Sequence, residues 1–393
     1  MIITDKETSL VSQVAEKFKR LFAEDPLIIR SPGRVNLIGE HTDYNCGFVL
    51  PAAIDKAIYM AVSLRDDDEL HIVSGDLDQT YRGNTTRIMA SPLLWPDYML
   101  GVVRQLQMSG HTIGGFNCVF RGEIPLGAGL SSSAALECAT AYSLNELSGL
   151  GLDTLTMVKL SQKAENEFVG VQCGIMDQFA SMFGKKNHVI RLDCQSLDYE
   201  YVPFKTEGIA IVLFDTNVKH SLASSEYNTR RQQCEAGVKM IQPHHPEVTS
   251  LRDVSMGMLD EWVAPVDALI YKRCGYVVKE NARLLAACDD LQQDDIHSFG
   301  EKMFSTHEGL SSQYEVSCVE LDFLVDQVKG NPGVLGARMM GGGFGGCTIN
   351  LVKTEAVGEL VARTAAAYSV AMNKELKAYI GKIENGTSLM GRD

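Results

Sequence analysis

The most informative segment of this sequence is Pro125-Leu126-Gly127-Ala128-Gly129-Leu130-Ser131-Ser132-Ser133-Ala134. It runs directly into an Ala-rich apolar pattern at residues 134–144, which predicts a helix. Glycines let the backbone approach a ligand closely, and a helix start presents unpaired N–H groups at the positive end of the helix dipole. The serines could cap the helix, or one hydroxyl could reach a phosphate-bound metal. The segment therefore predicts an anion site, most often for phosphate, although an ordinary junction between a loop and a helix would also fit.

Composition and charge narrow the class of protein. The 393 residues are enough for about two domains, and 45% hydrophobic with 22% charged residues is typical of globular chains. A net charge of −14 argues against general binding to nucleic acids or anionic membranes. The ten cysteines have no zinc-like spacing, the first residues do not resemble a signal peptide, and no apolar run is long enough to span a membrane. We therefore expect a cytoplasmic protein that binds neither nucleic acid nor membrane.

Hydrophobic periodicity predicts strands and helices mixed along the whole chain, which indicates an α+β or α/β fold. The expected strands are 27–30, 48–50, 57–64, 71–73, 117–120, 209–214 and 347–352, the first of them ended by Ser31-Pro32-Gly33. The expected helices include 8–22, one carrying Glu165, one beginning at Gly174, and then 227–243, 276–289, 295–310, 318–329 and 355–373. We place a domain boundary between residues 205 and 206, giving domains 1–205 and 206–393.

A second segment, residues 33–44, concentrates charged and titratable side chains between glycines and apolar residues. It contains Arg34, Glu40, His41 and Asp43. Charged groups within apolar sequence are costly to bury unless they are paired or functional. Carboxylates and imidazole accept hydrogen bonds from neutral hydroxyls, so the segment suits a polyol or a sugar, although a solvated loop after a strand is the alternative. Because the chain lacks the G-x-x-x-x-G-K-[ST] loop and the protein-kinase motifs, a nucleotide phosphate would have to be held by an atypical loop.

Five segments, in the expected order over nearly the whole chain, resemble a known family. Residues 33–45 (GRVNLIGEHTDYN) resemble the galactokinase signature, and 173–178 (CGIMDQ) and 224–231 (SSEYNTRR) resemble other galactokinase segments. Residues 125–137 (PLGAGLSSSAALE) and 341–346 (GGGFGG) resemble the nucleotide loop and third motif of the superfamily of galactokinase, homoserine kinase, mevalonate kinase and phosphomevalonate kinase. Met340 departs from that pattern, which commonly has Thr there, and Pro96-Asp97 departs from the usual pair after Trp95.

The resemblance implies a two-domain α+β small-molecule kinase fold with its active site in the interdomain cleft. It implies ATP-dependent phosphorylation of the anomeric hydroxyl of galactose, giving galactose 1-phosphate and ADP. Asp177 would be the catalytic carboxylate and Arg34 the cation beside the transferred phosphoryl group. Asp177 could accept the hydroxyl proton, or it could orient the hydroxyl while Arg34 keeps it ionised. Without the resemblance, Asp177 could simply be a carboxylate stabilised at a helix start.

The same resemblance assigns the ligand-binding residues. The expected sugar-binding residues are Glu40, His41, Thr42, Asp43, Gly174 and Tyr227. The expected nucleotide-binding residues are Ser74, Gly127, Ala128, Gly129, Leu130, Ser131, Ser132 and Ser133, with Trp95 beside the adenine. Ser133 and Glu165 would hold Mg²⁺, although Glu165 alone could be part of a solvated helix face. Residues 341–346, here called the third glycine cluster, would shape the site around the sugar and phosphates.

Two other functions fit parts of this pattern. An N-acetylgalactosamine kinase would need room and a polar partner for the substituent at sugar C2, and residues 41–45 resemble the galactose type more closely. A catalytically inactive regulator that binds galactose and ATP would have lost residues of the glycine- and serine-rich loop, which is complete here, as is Asp177. We therefore expect an active enzyme whose partners are galactose and ATP, working as a monomer.

Overall fold

The structure is a computed structural model that describes residues 5–125, 127–205, 207–218 and 223–391. Leu126 and the side chains of Ser224 and Ser225, which belong to segments singled out in the sequence, lie outside the described residues. The strands are β1 (Leu27–Asn36), β2 (Phe48–Val49), β3 (Pro51–Leu64), β4 (Glu69–Ser74), β5 (Gln79–Asn84), β6 (Phe116–Gly122), β7 (His188–Asp193), β8 (Tyr199–Pro203), β9 (Ile209–Asp215), β10 (Val334–Met339), β11 (Cys347–Lys353), β12 (Lys377–Gly381) and β13 (Ser388–Leu389).

Helices alternate with these strands in both halves of the chain. They are α1 (Asp5–Phe22), α2 (Pro96–Met108), α3 (Ser132–Ser148), α4 (Thr154–Ala164), α5 (Met176–Phe183), α6 (Ala223–Ile241), α7 (Met256–Trp262), α8 (Ala268–Gln292), α9 (Ile296–Glu308), α10 (Val319–Val328) and α11 (Val357–Met372). Within the described ranges, none of these helices is both long and apolar enough to cross a membrane.

The strands form three sheets. A six-stranded sheet has the order β13-β1-β3-β6-β4-β5, a four-stranded sheet has the order β10-β11-β9-β12, and a three-stranded sheet has the order β2-β7-β8. Pairing is antiparallel except between β4 and β6. Helices packed against mostly antiparallel sheets define an α+β fold, so the predicted fold class is confirmed. The domain boundary at 205/206 stays a prediction; it falls between β8 and β9.

Strand β1 differs from the prediction in a way that matters for the site. Ser31-Pro32-Gly33 does not end the strand, which continues to Asn36 with a register shift between Pro32 and Arg34. A β-carbon at Gly33 would lie 2.6 Å from the carbonyl oxygen of Leu130, and the Arg34 N–H donates to that carbonyl at 3.1 Å. Glycine and proline at a bulge are compatible with a strand. The glycine therefore lets the loop before α3 lie directly on β1.

Most of the other predicted elements are present within a few residues of their expected ends. The amphipathic pattern of α1 buries Val14 and Phe18 against the face of the large sheet. The helix expected from Gly174 begins at Met176. The elements that the sequence does not predict are those whose apolar pattern is short or broken by polar residues, namely β5, α2, β7, β8, α7, β10, β12 and β13.

Candidate active site

An ion pair between Arg34 and Asp177 lies at the centre of the site. The Arg34 guanidinium donates from Nε to Asp177 Oδ1 at 2.8 Å and from Nη2 to Oδ2 at 3.0 Å, and its Nη1 donates to the carbonyl of Gly129. Arg34 lies near the end of β1 and is 5% exposed, while Asp177 lies in the first turn of α5. Burial alone lowers the pKa of Arg34, but the carboxylates of Asp177 and Glu40 bring it above its ordinary value. This bidentate geometry fixes a permanent cation beside a carboxylate.

The loop 127–131 lies over this ion pair. Its backbone φ angles are positive at Gly127 (79°), Gly129 (74°) and Ser131 (56°), a conformation that glycine adopts most readily. The expectation that a serine caps α3 is wrong for Ser131, whose side chain makes no cap hydrogen bond. Its hydroxyl instead donates to Asp177 Oδ2 at 2.5 Å. Ser131 is therefore one of the groups that hold the Asp177 carboxylate in place.

Glu40 is fixed by a second network and is 2% exposed. Its Oε2 accepts from Asn36 Nδ2 at 2.5 Å, and its Oε1 accepts from the Gly341 N–H at 2.5 Å and lies 3.5 Å from Arg338 Nη1. Arg338 is completely buried and also donates to the main-chain carbonyls of Asn36 and Leu37. A buried charge is stable only when it is paired and hydrogen-bonded, and both members of this pair are. Glu40 is thereby held at the third glycine cluster.

Asp43 and Gly174 are in direct contact. A β-carbon at Gly174 would lie 2.0 Å from Asp43 Oδ2, so a side chain there would displace the carboxylate. Burial raises the pKa of Asp43 to about 7, and the charge of Asp177 adds to the rise, while Arg34 opposes it. A buried carboxyl of this kind is well suited to hydrogen bonds with neutral hydroxyl groups, which can donate to it.

His41 is part of an aromatic cluster next to these carboxylates. Its Nδ1 lies 2.8 Å from the Tyr44 hydroxyl, which lies 2.8 Å from the Tyr314 hydroxyl, and its ring centroid is 5.3 Å from that of Tyr227. Its φ of 64° is unusual for a residue with a β-carbon. Burial lowers the pKa of His41 to about 4, so the imidazole is neutral at pH 7. His41 is therefore a rigid, uncharged part of the site.

Glu165 lines the same cavity as Asp177, and its side chain hydrogen-bonds to the hydroxyl of Ser133. Glu165 is only 6% exposed, so it is not part of a solvated helix face. Gln178 Nε2 donates to Glu165 Oε2 at 2.7 Å and to Glu137 Oε2 at 2.9 Å, and Glu137 Oε1 is buried with no hydrogen-bond partner among the described residues. Burial, followed by the charge of Asp177, raises the pKa of Glu165 to about 7, while the hydroxyl of Ser133 is among the groups that oppose the rise.

These oxygen donors fit a hard divalent cation. In the described part of the chain no group of three or more His, Cys, Asp and Glu side chains has metal-binding geometry. Mg²⁺ at a nucleotide site does not need one, because it is held by one or two protein oxygens together with phosphates and water. The Ser133 hydroxyl hydrogen-bonds to the Glu165 side chain, so a hydroxyl and a carboxyl oxygen, both donor types that Mg²⁺ accepts, lie together here.

Three cavities in the described structure join to form one groove. An acidic cavity of about 530 Å³ is lined by residues that include Arg34, Glu40, His41, Asp43, Gly174, Asp177 and Tyr227. A loop cavity of about 270 Å³ shares Arg34, Asp177, Gly341 and Gly342 with it and is also lined by Gly127 and by residues 129–133. An apolar cavity of about 580 Å³ shares Pro125, Ser132 and Ser133 with the loop cavity and is lined by Ser74, Trp95, Tyr98, Phe120 and Leu136. The ion pair thus lies where the acidic cavity meets the glycine-rich loop.

The groove brings together most of the residues expected from sequence, with two exceptions. Thr42 is fully buried outside the cavity lining, and its hydroxyl oxygen lies 2.9 Å from the carbonyl oxygen of Gly39 and 2.5 Å from that of Phe48, which share its one proton as acceptors. Ala128 is also fully buried and lines none of the three cavities. The groups that hold Glu40 could not be identified from the sequence, because neither Asn36, inside the 33–45 segment, nor Arg338, just before the 341–346 segment, has a local signal for this role.

Comparisons with known proteins agree with this geometry. Residues 16–64 match the family described as "Galactokinase galactose-binding signature", and residues 97–185 and 287–371 match the "GHMP kinases N terminal domain" and "GHMP kinases C terminal" families. A galactokinase from Thermotoga maritima is 43% identical over 340 residues, covering 86% of this chain and 93% of that protein. A galactokinase from Halalkalibacterium halodurans is 39% identical over 382 residues, covering 96% of each chain.

Solved structures give the same result. The crystal structure of Lactococcus lactis galactokinase complexed with galactose has a TM-score of 0.92 at 35% identity, covering 96% of this chain and 99% of that one. The crystal structure of the Methanococcus jannaschii mevalonate kinase has a TM-score of 0.64 at 19% identity, and the match covers 92% of this chain and 99% of that one. The two proteins share the fold. By its three family matches, its identity to curated relatives over most of their length and its fold, this chain belongs to the galactokinase family of the GHMP kinases.

Proposed function

We propose that this protein transfers the γ-phosphoryl group of ATP to the anomeric hydroxyl of galactose, giving galactose 1-phosphate and ADP. The observation that carries the proposal is the position of the Arg34–Asp177 ion pair, between a cavity with hydroxyl-binding groups and a glycine-rich loop at a helix start. Phosphoryl transfer needs the acceptor and the phosphoryl group to be aligned and the developing charge to be neutralised. A carboxylate and a cation at this junction can do both.

Galactose binds in the acidic cavity. Asp43 and Glu40 accept hydrogen bonds from its hydroxyls, and Gly174 leaves room beside Asp43. The neutral His41 and the ring of Tyr227 form the adjoining wall. These groups hold the sugar by hydrogen bonds to its hydroxyls, and a site of this kind rejects analogues in which a hydroxyl is missing or misplaced.

The anomeric hydroxyl lies against Asp177, and Arg34 lies beside the phosphoryl group. Asp177 either accepts the hydroxyl proton as the oxygen attacks, or orients a hydroxyl whose ionisation Arg34 favours. In both cases Arg34 neutralises charge that develops on the phosphoryl oxygens. Ser131 keeps the carboxylate aligned through its hydrogen bond to Oδ2.

ATP occupies the loop and apolar cavities. Its phosphates lie in the loop cavity, against the main chain of Gly127, of residues 129–133 and of the start of α3, and the adenine lies in the apolar cavity near Ser74 and Trp95. Ser133 and Glu165 would hold Mg²⁺, which when bound neutralises charge on the ATP phosphates.

The alternative functions are not favoured. A galactose- and ATP-binding regulator without activity would lack parts of the loop or the catalytic carboxylate, and both are present here. The relatives named above are galactokinases, and residues 41–45 resemble the galactose type rather than the N-acetylgalactosamine type. All ten cysteines are unpaired, which suits the reducing cytoplasm, and we propose that the protein works there as a monomer.

An ADP-release assay over a panel of acceptors tests the proposed function. Galactose, N-acetylgalactosamine, glucose, homoserine and mevalonate are supplied at equal concentration with MgATP. We expect galactose to exceed its C4 epimer glucose by at least about 10²-fold in kcat/KM, because the epimer leaves a buried acceptor unpaired. Preference for any other acceptor, or ADP release that is independent of the acceptor, would overturn the proposal.

A further inference from the structure

The recognition loop (residues 39–48), which carries Glu40, His41 and Asp43, is tied at both ends to one helix from the other half of the chain. Glu280 Oε1 accepts the main-chain N–H of Gly39 at 2.9 Å, across 241 positions of sequence. Asn281 Oδ1 accepts the main-chain N–H of Phe48 at 3.0 Å, across 233 positions. Glu280 and Asn281 are consecutive residues of α8, so a single turn of helix contacts both ends of the loop.

Packing at two glycines reinforces these hydrogen bonds. A β-carbon at Gly39, whose φ is +88°, would lie 2.4 Å from Leu284 Cδ1, and a β-carbon at Gly47 would lie 2.3 Å from Asn281 Oδ1. The backbone of the recognition loop therefore lies directly against α8 at both ends. Neither Glu280 nor Asn281 lines a cavity of the groove, so neither can touch a ligand there.

Both side chains, Glu280 and Asn281, are buried where they contact the recognition loop. Glu280 is completely buried, and its carboxylate also accepts the hydroxyl of Thr306 at 2.9 Å and pairs with Arg283. Asn281 is 8% exposed. A buried N–H that loses its acceptor must find another or remain unpaired, and in either case the loop backbone would shift. A shift of about 1 Å at reacting or binding groups is enough to cost about 10²-fold in activity.

We propose that Glu280 and Asn281 are positioning residues for sugar recognition, which act by fixing both ends of the recognition loop. The proposal rests on the proposed function, because it assigns the loop to galactose. It differs from a purely structural role in one respect: loss of the Asn281 acceptor affects the sugar and leaves ATP binding unchanged. The nucleotide groups lie on the loop 127–133 and on α3, which these two side chains do not contact.

Two nearly isosteric variants of Asn281 separate the effect of losing the hydrogen-bond acceptor from the effect of changing the side-chain size. Asn281→Leu removes the acceptor, and Asn281→Asp keeps the Oδ1 acceptor. Cys288→Ala is the matched control, because Cys288 is buried on the same helix about two turns further on. The KM values for galactose and ATP, kcat, the galactose Kd by calorimetry and the thermal midpoint are measured for each variant.

We expect Asn281→Leu to raise the galactose KM and Kd at least about fivefold, the lower limit for an unpaired buried donor, with the KM for ATP unchanged. Asn281→Asp should restore most of the loss, and Cys288→Ala should lower the thermal midpoint without changing the galactose Kd. An unchanged galactose Kd in Asn281→Leu, an equal rise in both KM values, or no rescue by Asp would overturn the proposal. If the Leu variant does not fold, Asn281→Ser removes the same contact with a smaller side chain and is judged by the same criteria. If the wild-type protein does not phosphorylate galactose, the proposed function itself is overturned. If the wild-type protein is active and only the Asn281 variants behave differently from expectation, the proposal about the loop contact alone is overturned.

Discussion

Replacing Arg34 by lysine keeps the positive charge but removes the planar guanidinium group and its arrangement of N–H donors. In the structure the guanidinium makes three contacts at once, two with the Asp177 carboxylate at 2.8 and 3.0 Å and one with the carbonyl of Gly129. A lysine ammonium on a different stem cannot occupy all three positions. The variant therefore tests whether the geometry of the cation, rather than its charge alone, is needed for turnover.

The structure sets the size of the expected effect. If the ammonium remakes one of the two hydrogen bonds to Asp177, the net loss is one hydrogen bond to a charged group, worth about 1.5–3 kcal/mol. At about 1.4 kcal/mol per factor of ten, this corresponds to roughly a 10- to 150-fold fall in rate. Because the contact between the residue 34 cation and the phosphoryl group strengthens as charge develops there, the fall should appear in kcat more than in the KM for galactose.

The assay is steady-state ADP release with galactose and MgATP each varied separately. Arg30→Lys is the matched control, because Arg30 is also buried on β1 and its guanidinium donates to the carbonyls of Asn385 and Ile54, away from the groove. We expect the control to keep wild-type kinetics even if it is less stable. A change in Arg34→Lys that is confined to the galactose KM, or a kcat equal to that of Arg30→Lys, would refute the role in the transition state.

Three other predictions concern the groups around this pair. Asp177→Asn should lower kcat by about 10²–10⁴-fold while galactose binding stays measurable by calorimetry, and near-normal turnover would remove Asp177 from the reaction. Because the pKa of Asp43 is raised to about 7, the carboxyl is largely protonated below that pH, and kcat/KM for galactose should rise as the pH increases through this value. The rise in kcat/KM should disappear in Asp43→Asn. If that variant has the same pH profile as the wild type, the rise is due to another titrating group. Ser133→Ala and Glu165→Gln should each shift the Mg²⁺ dependence of activity at fixed ATP to higher Mg²⁺, and unshifted curves for both would leave them with structural roles.

The parts of the fold that depend on local pattern could be predicted from the sequence. The amphipathic face of α1 and the buried run of β9 are local signals, and both elements are present. The end of β1 could not be predicted, because Gly33 in isolation indicates a break. Its role depends on the carbonyl of Leu130, which approaches it only in the folded chain.

The residues of the candidate site could likewise be predicted only in part from the sequence. Motif segments pointed to Arg34 and Asp177, but composition and spacing could not show that the two side chains form a bidentate pair. Arg338 and Glu280 had no signal of their own, because each gains its role from buried partners hundreds of positions away. A buried charged residue looks the same in a sequence as a solvated one, so supporting contacts of this kind need the three-dimensional structure.

Phosphorus NMR of the product formed from galactose and MgATP shows directly which hydroxyl receives the phosphoryl group. We expect a single phosphomonoester whose signal is a doublet from coupling to the anomeric proton. We also expect 1-deoxygalactose, which lacks the anomeric hydroxyl, to compete with galactose without any release of ADP. A product phosphorylated at another carbon, or ADP release with 1-deoxygalactose, would contradict the claim that the Arg34–Asp177 pair acts on the anomeric hydroxyl.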